Sequence, residues 1–234
     1  MAGDRRGEDH EFGADLEAEA VGGLCDLDES SILFDGRVEH VAYPIVVTGP
    51  SGAGKTSLCY GVVRDCPDVV YSVSATTRPR RQDEVTGKDY HFVGQSRFRE
   101  MLGAGELIEW AEVHGQLYGT PRFSVEPYLD KGKKVIMDID VQGGASIRKV
   151  FPDGLFVFVI PPSMRILEER LRNRKTESEE VLQTRLKNAR EELRYWKQYD
   201  YLIVNDKLGA ALDRLKSILA AEDSRLKRLI PGEC

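Results

Sequence analysis

The chain has 234 residues, a hydrophobic fraction of 41% and a formal net charge of −6, so it can bury one full core with room for inserted segments. It contains no run of 18 or more apolar residues, and its N-terminus lacks the charged and apolar regions of a signal peptide. We therefore expect a soluble, cytoplasmic protein with no membrane partner. The four cysteines have no metal-ligand spacing, which predicts free thiols in a reducing compartment.

Charge is distributed unevenly along the chain. Residues 1–40 hold 12 acidic and 3 basic residues, for a net charge of −9, whereas the remainder carries a net charge of +3. The first 30 residues are also poor in large apolar side chains, so we expect 1–40 to be an acidic, disordered extension. A helix over 15–20 is the alternative, because Ala and Glu favour helices. The mildly basic remainder suits nucleotide substrates, and we expect no nucleic-acid partner.

From residue 43 onward, short apolar strands alternate with helical patterns. This alternation predicts an α/β fold with a parallel sheet covered by helices. The predicted strands are 45–48, 69–74, 134–139, 155–160 and 201–204. The predicted helices are 55–65, 163–174, 178–197 and 207–222.

Two stretches interrupt the alternation within the predicted main domain, 41–234. Residues 76–120 carry many charges and predict an inserted mixed-β subdomain. Its predicted elements are strands at 90–93, 107–110 and 116–118 and a short helix at 95–102. Residues 165–190 place many arginines on amphipathic helices, which predicts a mobile helical lid over an anionic ligand.

The stretch 43–58, YPIVVTGPSGAGKTSL, predicts a phosphate-binding loop between a strand and a helix. Glycines allow backbone NH groups to approach phosphate oxygens, and the helix directs its positive N-terminus at the same anion. Lys55 adds a point charge, and the Thr56 hydroxyl is suited to Mg²⁺. The alternative, an ordinary glycine-rich turn, is disfavoured by this context. The predicted ATP-binding loop is Gly49, Pro50, Ser51, Gly52, Ala53, Gly54, Lys55, Thr56 and Ser57.

A second cluster lies in SATTRPRRQDEVTGKDYHF, residues 74–92, where arginines and hydroxyls crowd together after a predicted strand. Planar guanidinium groups and hydroxyls are suited to binding a phosphate monoester. A charged, solvated face is the alternative.

These segments resemble the guanylate kinase family, whose members phosphorylate GMP with ATP. The resemblance covers residues 42–222 and rests on the phosphate loop and on the pattern S-x-T-T-R-x-x-R-x-x-E-x-x-G-x-x-Y-x-F that begins at residue 74. It implies a P-loop kinase with core, GMP-binding and lid parts. It also implies that Arg80 stays in solvent and that the GMP phosphate is held by Ser74, Arg78, Arg81, Tyr90 and Tyr118.

Guanine recognition is expected from ELIEWAEVHGQLYGTP, residues 106–121. Guanine presents adjacent donors at N1 and N2, which one carboxylate can accept together, whereas adenine presents an acceptor at N1. Glu109 matches the family glutamate with this role, and Thr120 matches a family hydroxyl. A single acidic residue in a strand is otherwise usually exposed to solvent.

The predicted strand 134–139 leads into two carboxylates, Asp138 and Asp140. A carboxylate in this position resembles a Walker B acid, which holds Mg²⁺ through water. In the family the first aspartate also approaches guanine, so the resemblance assigns Asp138 to GMP. Asp140 is kept for the metal, with Thr56, or for structure.

The remaining expected contacts are to ATP. The resemblance assigns Arg170, Arg174 and Arg185 to the ATP phosphates, where with Lys55 they would stabilise negative charge in phosphoryl transfer. Lys175 stands where the family usually has glycine, and this difference would stiffen the hinge of the lid and add a charge. Asn205 and Asp206 match family residues near adenine, or form an ordinary capping turn.

The sequence therefore predicts an enzyme that uses ATP and Mg²⁺ to phosphorylate GMP, and also dGMP. The rival hypothesis is a guanylate-kinase-like scaffold module that binds phosphorylated peptides. The intact Gly54, Lys55 and Thr56 favour the enzyme, because scaffold modules lose this loop. Whether the chain is a monomer or a homo-oligomer stays open.

Deleting residues 1–30 should leave the melting temperature and the kinase activity nearly unchanged, because this composition cannot support a packed core. Thermal unfolding and a coupled assay of ADP release, with the full chain as reference, check this. A large loss of either property would mean that the extension docks on the main domain.

Overall fold

The structure is a computed structural model that describes residues 38–113, 115–173 and 179–231. Its strands and helices follow one another in the order β1 (Val38–His40), β2 (Pro44–Thr48), α1 (Lys55–Asp65), β3 (Val69–Tyr71), β4 (Ala75–Thr76), β5 (His91–Phe92), α2 (Gln95–Gly103), β6 (Leu107–Val113), β7 (Gln116–Pro121), α3 (Glu126–Leu129), β8 (Lys134–Asp138), α4 (Val141–Val150), β9 (Leu155–Ile160), α5 (Met164–Arg172), α6 (Glu179–Glu192), β10 (Tyr201–Val204), α7 (Leu208–Asp223) and β11 (Leu229–Pro231).

A five-stranded parallel sheet, in the order β10-β9-β2-β8-β3, forms the centre of the core. Its middle strand, β2, is buried at every position, as expected for a parallel sheet with both faces covered. Ile45 and Val47 pack with α1 and α7 on one face. Val46 packs with Ile147 of α4 and with Phe156 on the other. The predicted α/β class is confirmed.

A second sheet has the order β5-β4-β7-β6 and mixed pairing, with β4 parallel to β5 and antiparallel to β7. It packs on α2 through a small apolar cluster that contains Phe98 and Met101. The sheet is built from residues 75–121, close to the stretch predicted as an insertion. That this stretch is a separate GMP-binding subdomain stays a prediction.

Several boundaries differ from those predicted. The strand expected over 69–74 ends at Tyr71, because the chain then leaves the parallel sheet to form β4 of the second sheet. The helix expected over 178–197 is α-helical to Glu192 and continues as a 3₁₀ helix to Gln198. Helix α4 was not predicted, because Gly143 and Gly144 in its first turn weaken the helical pattern.

Some predictions concern residues outside the described ranges. These are the extension up to residue 37, the lid residues Arg174 and Lys175, and the thiols of Cys25 and Cys234. Cys59 and Cys66 are described, and both are free thiols. Among the described helices, none combines the length and the apolar character that a membrane crossing requires.

A buried ion pair joins the end of α7 to the segment that follows it. The side chains of Glu222 and Arg228 are 2% and 3% exposed, and the Arg228 Nη2 atom lies 2.8 Å from Glu222 Oε1. The Arg228 guanidinium also lies over the Tyr43 ring, 4.0 Å from its centroid, and donates to the Asp153 carbonyl. The pair therefore anchors residues 225–228 on the core.

Replacing Arg228 with Ala should lower the free energy of unfolding by about 3 to 5 kcal/mol, because the buried Glu222 carboxylate loses its buried partner and keeps only the more exposed Arg225 and the more distant Lys227. Urea unfolding measures this loss. Arg225→Ala is the matched control: Arg225 pairs with the same carboxylate but is 55% exposed, so its loss should cost less than about 1 kcal/mol. Equal losses in the two variants would contradict the prediction.

Candidate active site

The phosphate loop, residues 49–57, connects the central strand β2 to α1 and contains three glycines with positive φ, of which Gly49 and Gly54 approach their neighbours most closely. Gly49 has φ 136° and Gly54 has φ 90°, a region that residues with a Cβ rarely adopt. A Cβ on Gly49 would lie 2.0 Å from the Val159 carbonyl oxygen, and a Cβ on Gly54 would lie 2.3 Å from Asn205 Nδ2. The loop therefore lies directly against β9 and the end of β10.

Lys55 begins α1 and is half-buried at the base of the loop. Its Nζ atom donates to the carbonyl oxygens of Gly49 at 2.6 Å and Pro50 at 3.2 Å. Burial lowers the pKa of Lys55, and the carboxylates of Asp138 and Glu192 oppose this effect. The ammonium group is thus oriented by the backbone on which a phosphate would be bound.

The strand β8 ends in Asp138, which faces the loop. Its Oδ2 atom accepts a hydrogen bond from Thr56 Oγ1 at 2.5 Å, and its Oδ1 atom accepts one from the Tyr71 hydroxyl. Asp140, two residues later, caps α4 by accepting from the backbone NH groups of Gln142 at 2.7 Å and Gly143 at 2.9 Å. The two carboxylates thus have different partners.

Glu109 lies on β6 and is only 7% exposed. Thr120 of the paired strand β7 donates its hydroxyl to Glu109 Oε1 at 2.6 Å. On the other side, Gly143 of α4 approaches so closely that a Cβ there would lie 2.9 Å from Glu109 Oε2. Burial raises the pKa of Glu109 to about 7, helped by the charge of Asp140 and opposed by the Thr120 hydrogen bond.

The arginine cluster is organised by Glu84. Its carboxylate accepts two hydrogen bonds from Arg78, at 2.7 and 3.0 Å, and one from the Arg81 backbone NH at 2.8 Å. The Arg78 guanidinium lies 5.4 Å from the centroid of the Tyr90 ring. Arg80 is exposed and donates to the Glu84 backbone carbonyl, and it does not line the pocket that contains Arg78 and Arg81. Glu84 therefore holds Arg78 in place. Glu84 is part of the pattern that begins at residue 74, but the sequence did not indicate this role.

One continuous pocket contains most of the predicted residues. They are Gly49, Ser51, Gly52, Gly54, Lys55, Thr56, Ser57, Ser74, Arg78, Arg81, Tyr90, Glu109, Tyr118, Asp138, Asp140 and Arg185. The same pocket is also lined by Val113, Gly119, Ile139 and Glu192, which sequence reasoning missed. Glu192 has the spacing of a surface position on α6, so its burial, which raises its pKa, had no signal in the sequence.

Six predicted residues, Pro50, Ala53, Thr120, Arg170, Asn205 and Asp206, are not among those that line this pocket. Pro50 and Ala53 belong to the loop itself, and Thr120 supports Glu109. The Asn205 side chain is 4% exposed and donates to the Ala53 carbonyl at 2.7 Å. Arg170 donates to the backbone carbonyls of Asn205 at 2.9 Å and of Asp206 at 3.4 Å. In this arrangement Arg170 and Asn205 support the loop.

The geometry defines the class of protein. A glycine-rich loop that leaves the central strand of a parallel sheet, with Lys55 at its end and a Thr56–Asp138 pair beside it, is the nucleotide-phosphate site of a P-loop protein. The arginine cluster places further cationic side chains in the same pocket. A phosphate loop with a second group of cations beside it suits the transfer of a phosphoryl group between two nucleotides, so the class is P-loop nucleotide kinase.

Comparisons with known proteins identify the family. The guanylate kinase family model matches residues 41–222. A guanylate kinase from Desulfitobacterium hafniense is 50% identical over 79% of this chain and 92% of its own length, and one from Thermotoga maritima is 45% identical over 78% and 88%. The crystal structure of guanylate kinase from Anaplasma phagocytophilum has a TM-score of 0.70 at 34% identity, over 83% of this chain and 93% of that one. The chain belongs to the guanylate kinase family.

The raised pKa of Glu109 predicts a pH-dependent contribution to stability. Because the folded state holds this proton up to about pH 7 and the unfolded chain releases it near pH 4.5, the contribution is fully present below pH 4.5 and is lost as the pH rises through 7. From pH 4.5 to 8 the wild type should therefore lose roughly 3 kcal/mol relative to Glu109→Gln. Urea unfolding across this range measures the difference.

The control is Glu112→Gln, a substitution at an exposed position of the same strand. It should change the pH dependence little. If wild type and Glu109→Gln showed the same pH dependence, the Glu109 proton would not be retained as described.

Proposed function

We propose that this enzyme carries out the guanylate kinase reaction in the pocket described above, transferring the γ-phosphoryl group of ATP to the phosphate of GMP, and also of dGMP. The observation that carries the proposal is that the phosphate loop, the arginine cluster and the buried carboxylate of Glu109 all line one pocket. The names of the curated relatives support the same reaction.

On the ATP side, loop residues 49–57 bind the phosphates through backbone NH groups and the ammonium group of Lys55. Asn205 and Asp206 lie near adenine, and Asn205 also braces the loop through Ala53. The reaction needs no strong general base, because the attacking GMP phosphate is already an anion. The work of the site is to hold two anions close together and to stabilise the charge of the transferring group.

The donor set of the loop suits Mg²⁺. The Thr56 hydroxyl and a carboxylate oxygen meet at 2.5 Å, and Mg²⁺ is usually held by one or two such protein oxygens, substrate phosphates and water. Within the described ranges, no group of three or more His, Cys, Asp or Glu side chains forms a metal site, which fits a metal that arrives with ATP. When bound, it would neutralise charge on the β- and γ-phosphates.

The contacts favour exchanging the roles expected for the two aspartates. Asp138 contacts Thr56, so we assign it to Mg²⁺. The charge of Asp140 acts on Glu109, so we assign it to the guanine side, in addition to its capping of α4.

On the GMP side, the Glu109 carboxylate accepts hydrogen bonds from the N1 and N2 donors of guanine. The Thr120 hydroxyl donates to the same carboxylate and keeps it in position. Five residues bind the GMP phosphate, and Glu84 supports them by orienting Arg78. They are Ser74, Arg78, Arg81, Tyr90 and Tyr118.

The lid consists of residues 165–190 and supplies arginines to the ATP phosphates. Arg185 on α6 already lines the pocket. Arg170 donates to the Asn205 carbonyl, so a phosphate contact from Arg170 requires this hydrogen bond to break or to be shared. Arg174, the third lid arginine proposed, lies outside the described residues.

The scaffold alternative is not favoured. A module that binds only phosphorylated peptides has no use for the Lys55 and Thr56 contacts or for a buried guanine-reading carboxylate. A coupled assay of ADP release with GMP, dGMP, AMP, CMP and UMP tests the function. Turnover with GMP and dGMP but little with the others is expected, and turnover that does not depend on the base would contradict the assignment.

Replacing Lys55 with Ala should lower kcat by roughly 100-fold or more with the fold intact, because it removes charge stabilisation where the phosphoryl group transfers. Steady-state kinetics and thermal unfolding measure the two properties. Lys131→Ala, at an exposed position, is the control and should behave as wild type. Undiminished turnover in Lys55→Ala would exclude the mechanism.

Replacing Glu109 with Gln should lower kcat/KM for GMP by roughly 100-fold, about 3 kcal/mol of transition-state stabilisation, because one acceptor oxygen becomes a donor. Discrimination against AMP should weaken as well. The measurement is the ratio of kcat/KM for GMP and AMP in wild type and variant. A ratio that does not move would mean that another group reads guanine.

A further inference from the structure

Tyr71 is a polar residue at the active-site edge of the sheet that the mechanism above does not use. It ends β3, the edge strand, which pairs in parallel with β8 at the position Tyr71–Ile136. Its hydroxyl reaches past this pairing position to donate a hydrogen bond to Oδ1 of Asp138. The second oxygen of the same carboxylate accepts the Thr56 hydroxyl at 2.5 Å.

These two hydrogen bonds fix the carboxylate plane. A carboxylate held at one oxygen can rotate about its terminal torsion, which has broad energy wells. A second hydrogen bond from the opposite side removes this freedom, so Oδ2 stays beside Thr56. Groups behind a metal ligand commonly orient it in this way.

The Tyr71 side chain is held in place by its surroundings. The Tyr71 ring packs against the core between the parallel sheet and the helices α1 and α7. It also contacts Tyr60, with 4.8 Å between the ring centroids. The donor is therefore held by packing on a strand, which gives a more precise position than a loop would.

We propose that Tyr71 is a positioning residue for the divalent cation that accompanies ATP: it holds Asp138 so that one carboxylate oxygen and the Thr56 hydroxyl face the cation together. This role rests on the proposed function, in which Thr56 and Asp138 hold that cation. The simpler role, in which the hydroxyl only satisfies its own hydrogen bond, makes a different prediction for metal dependence.

The test is Tyr71→Phe, which keeps the ring packing and removes only the hydroxyl. The affinity of a non-hydrolysable ATP analogue is measured by calorimetry at saturating Mg²⁺ and in excess EDTA. The gain in affinity due to Mg²⁺ should fall by about 10-fold in the variant, with the affinity in EDTA unchanged. The Mg²⁺ concentration for half-maximal turnover should rise by about the same factor, while KM for GMP stays constant.

Two comparisons isolate the effect. Tyr201→Phe, at a partly buried tyrosine on β10 at the opposite edge of the sheet, should leave the Mg²⁺ gain unchanged. In an Asp138→Asn background, adding Tyr71→Phe should have no further effect on metal dependence, because Tyr71 acts through the carboxylate.

The outcomes separate this proposal from the function on which it rests. If Mg²⁺ raised the affinity for the analogue as much in Tyr71→Phe as in wild type, the role of Tyr71 would be overturned and the kinase assignment would stand. An additional loss in the Asp138→Asn background would also overturn it. A wild type that binds the analogue equally with and without Mg²⁺ would overturn the metal assignment, and the role of Tyr71 with it.

Discussion

The close approach of the phosphate loop to strand β9 is the constraint on which the site depends. A Cβ on Gly49 would lie 2.0 Å from the Val159 carbonyl oxygen, so the loop can follow this path only with glycine there. The path brings the Ala53 carbonyl within 2.7 Å of Asn205 Nδ2, after β10, and Thr56 within 2.5 Å of Asp138, on β8. Three strands of one parallel sheet thus position the loop, because their carboxyl ends meet at one edge.

The pocket contains carboxylates beside the phosphate loop and the arginines, and three of these carboxylates, those of Asp138, Asp140 and Glu109, accept hydrogen bonds from protein donors. Asp138 accepts from Thr56 and Tyr71, and Asp140 accepts from the start of α4. Glu109 is buried with a pKa raised to about 7, so its charge is costly until donors face it. In the proposed function, guanine supplies two such donors and adenine does not, so the cost of this buried charge would become substrate selectivity.

Sequence reasoning predicted the central strands and the strand–loop–helix unit around residues 49–57 because each rests on a local signal, either a β-branched run or glycine spacing. The recognition residues were grouped by arginines next to hydroxyls and by the family resemblance, and their roles stay predictions. It missed α4, whose first turn contains two glycines that a helix usually avoids. It also missed Glu192, which has ordinary surface spacing but lines the pocket. The sequence could not decide which of Asp138 and Asp140 lies beside Thr56. The two residues are only two positions apart, and they differ in their tertiary contacts, which the sequence does not show.

The glycine at position 143 has a physical reason in the packing of α4 against β6. A Cβ on Gly143 would lie 2.9 Å from Glu109 Oε2, so a side chain there would push the carboxylate from its position beside Thr120. Five residues earlier in the same turn, Asp138 contacts Thr56. The turn from β8 into α4 therefore lies against Glu109 at one end and Thr56 at the other. In the proposed function a shift of this turn would reach both substrates, which gives the chain a reason to use glycine where helix propensity alone would favour alanine.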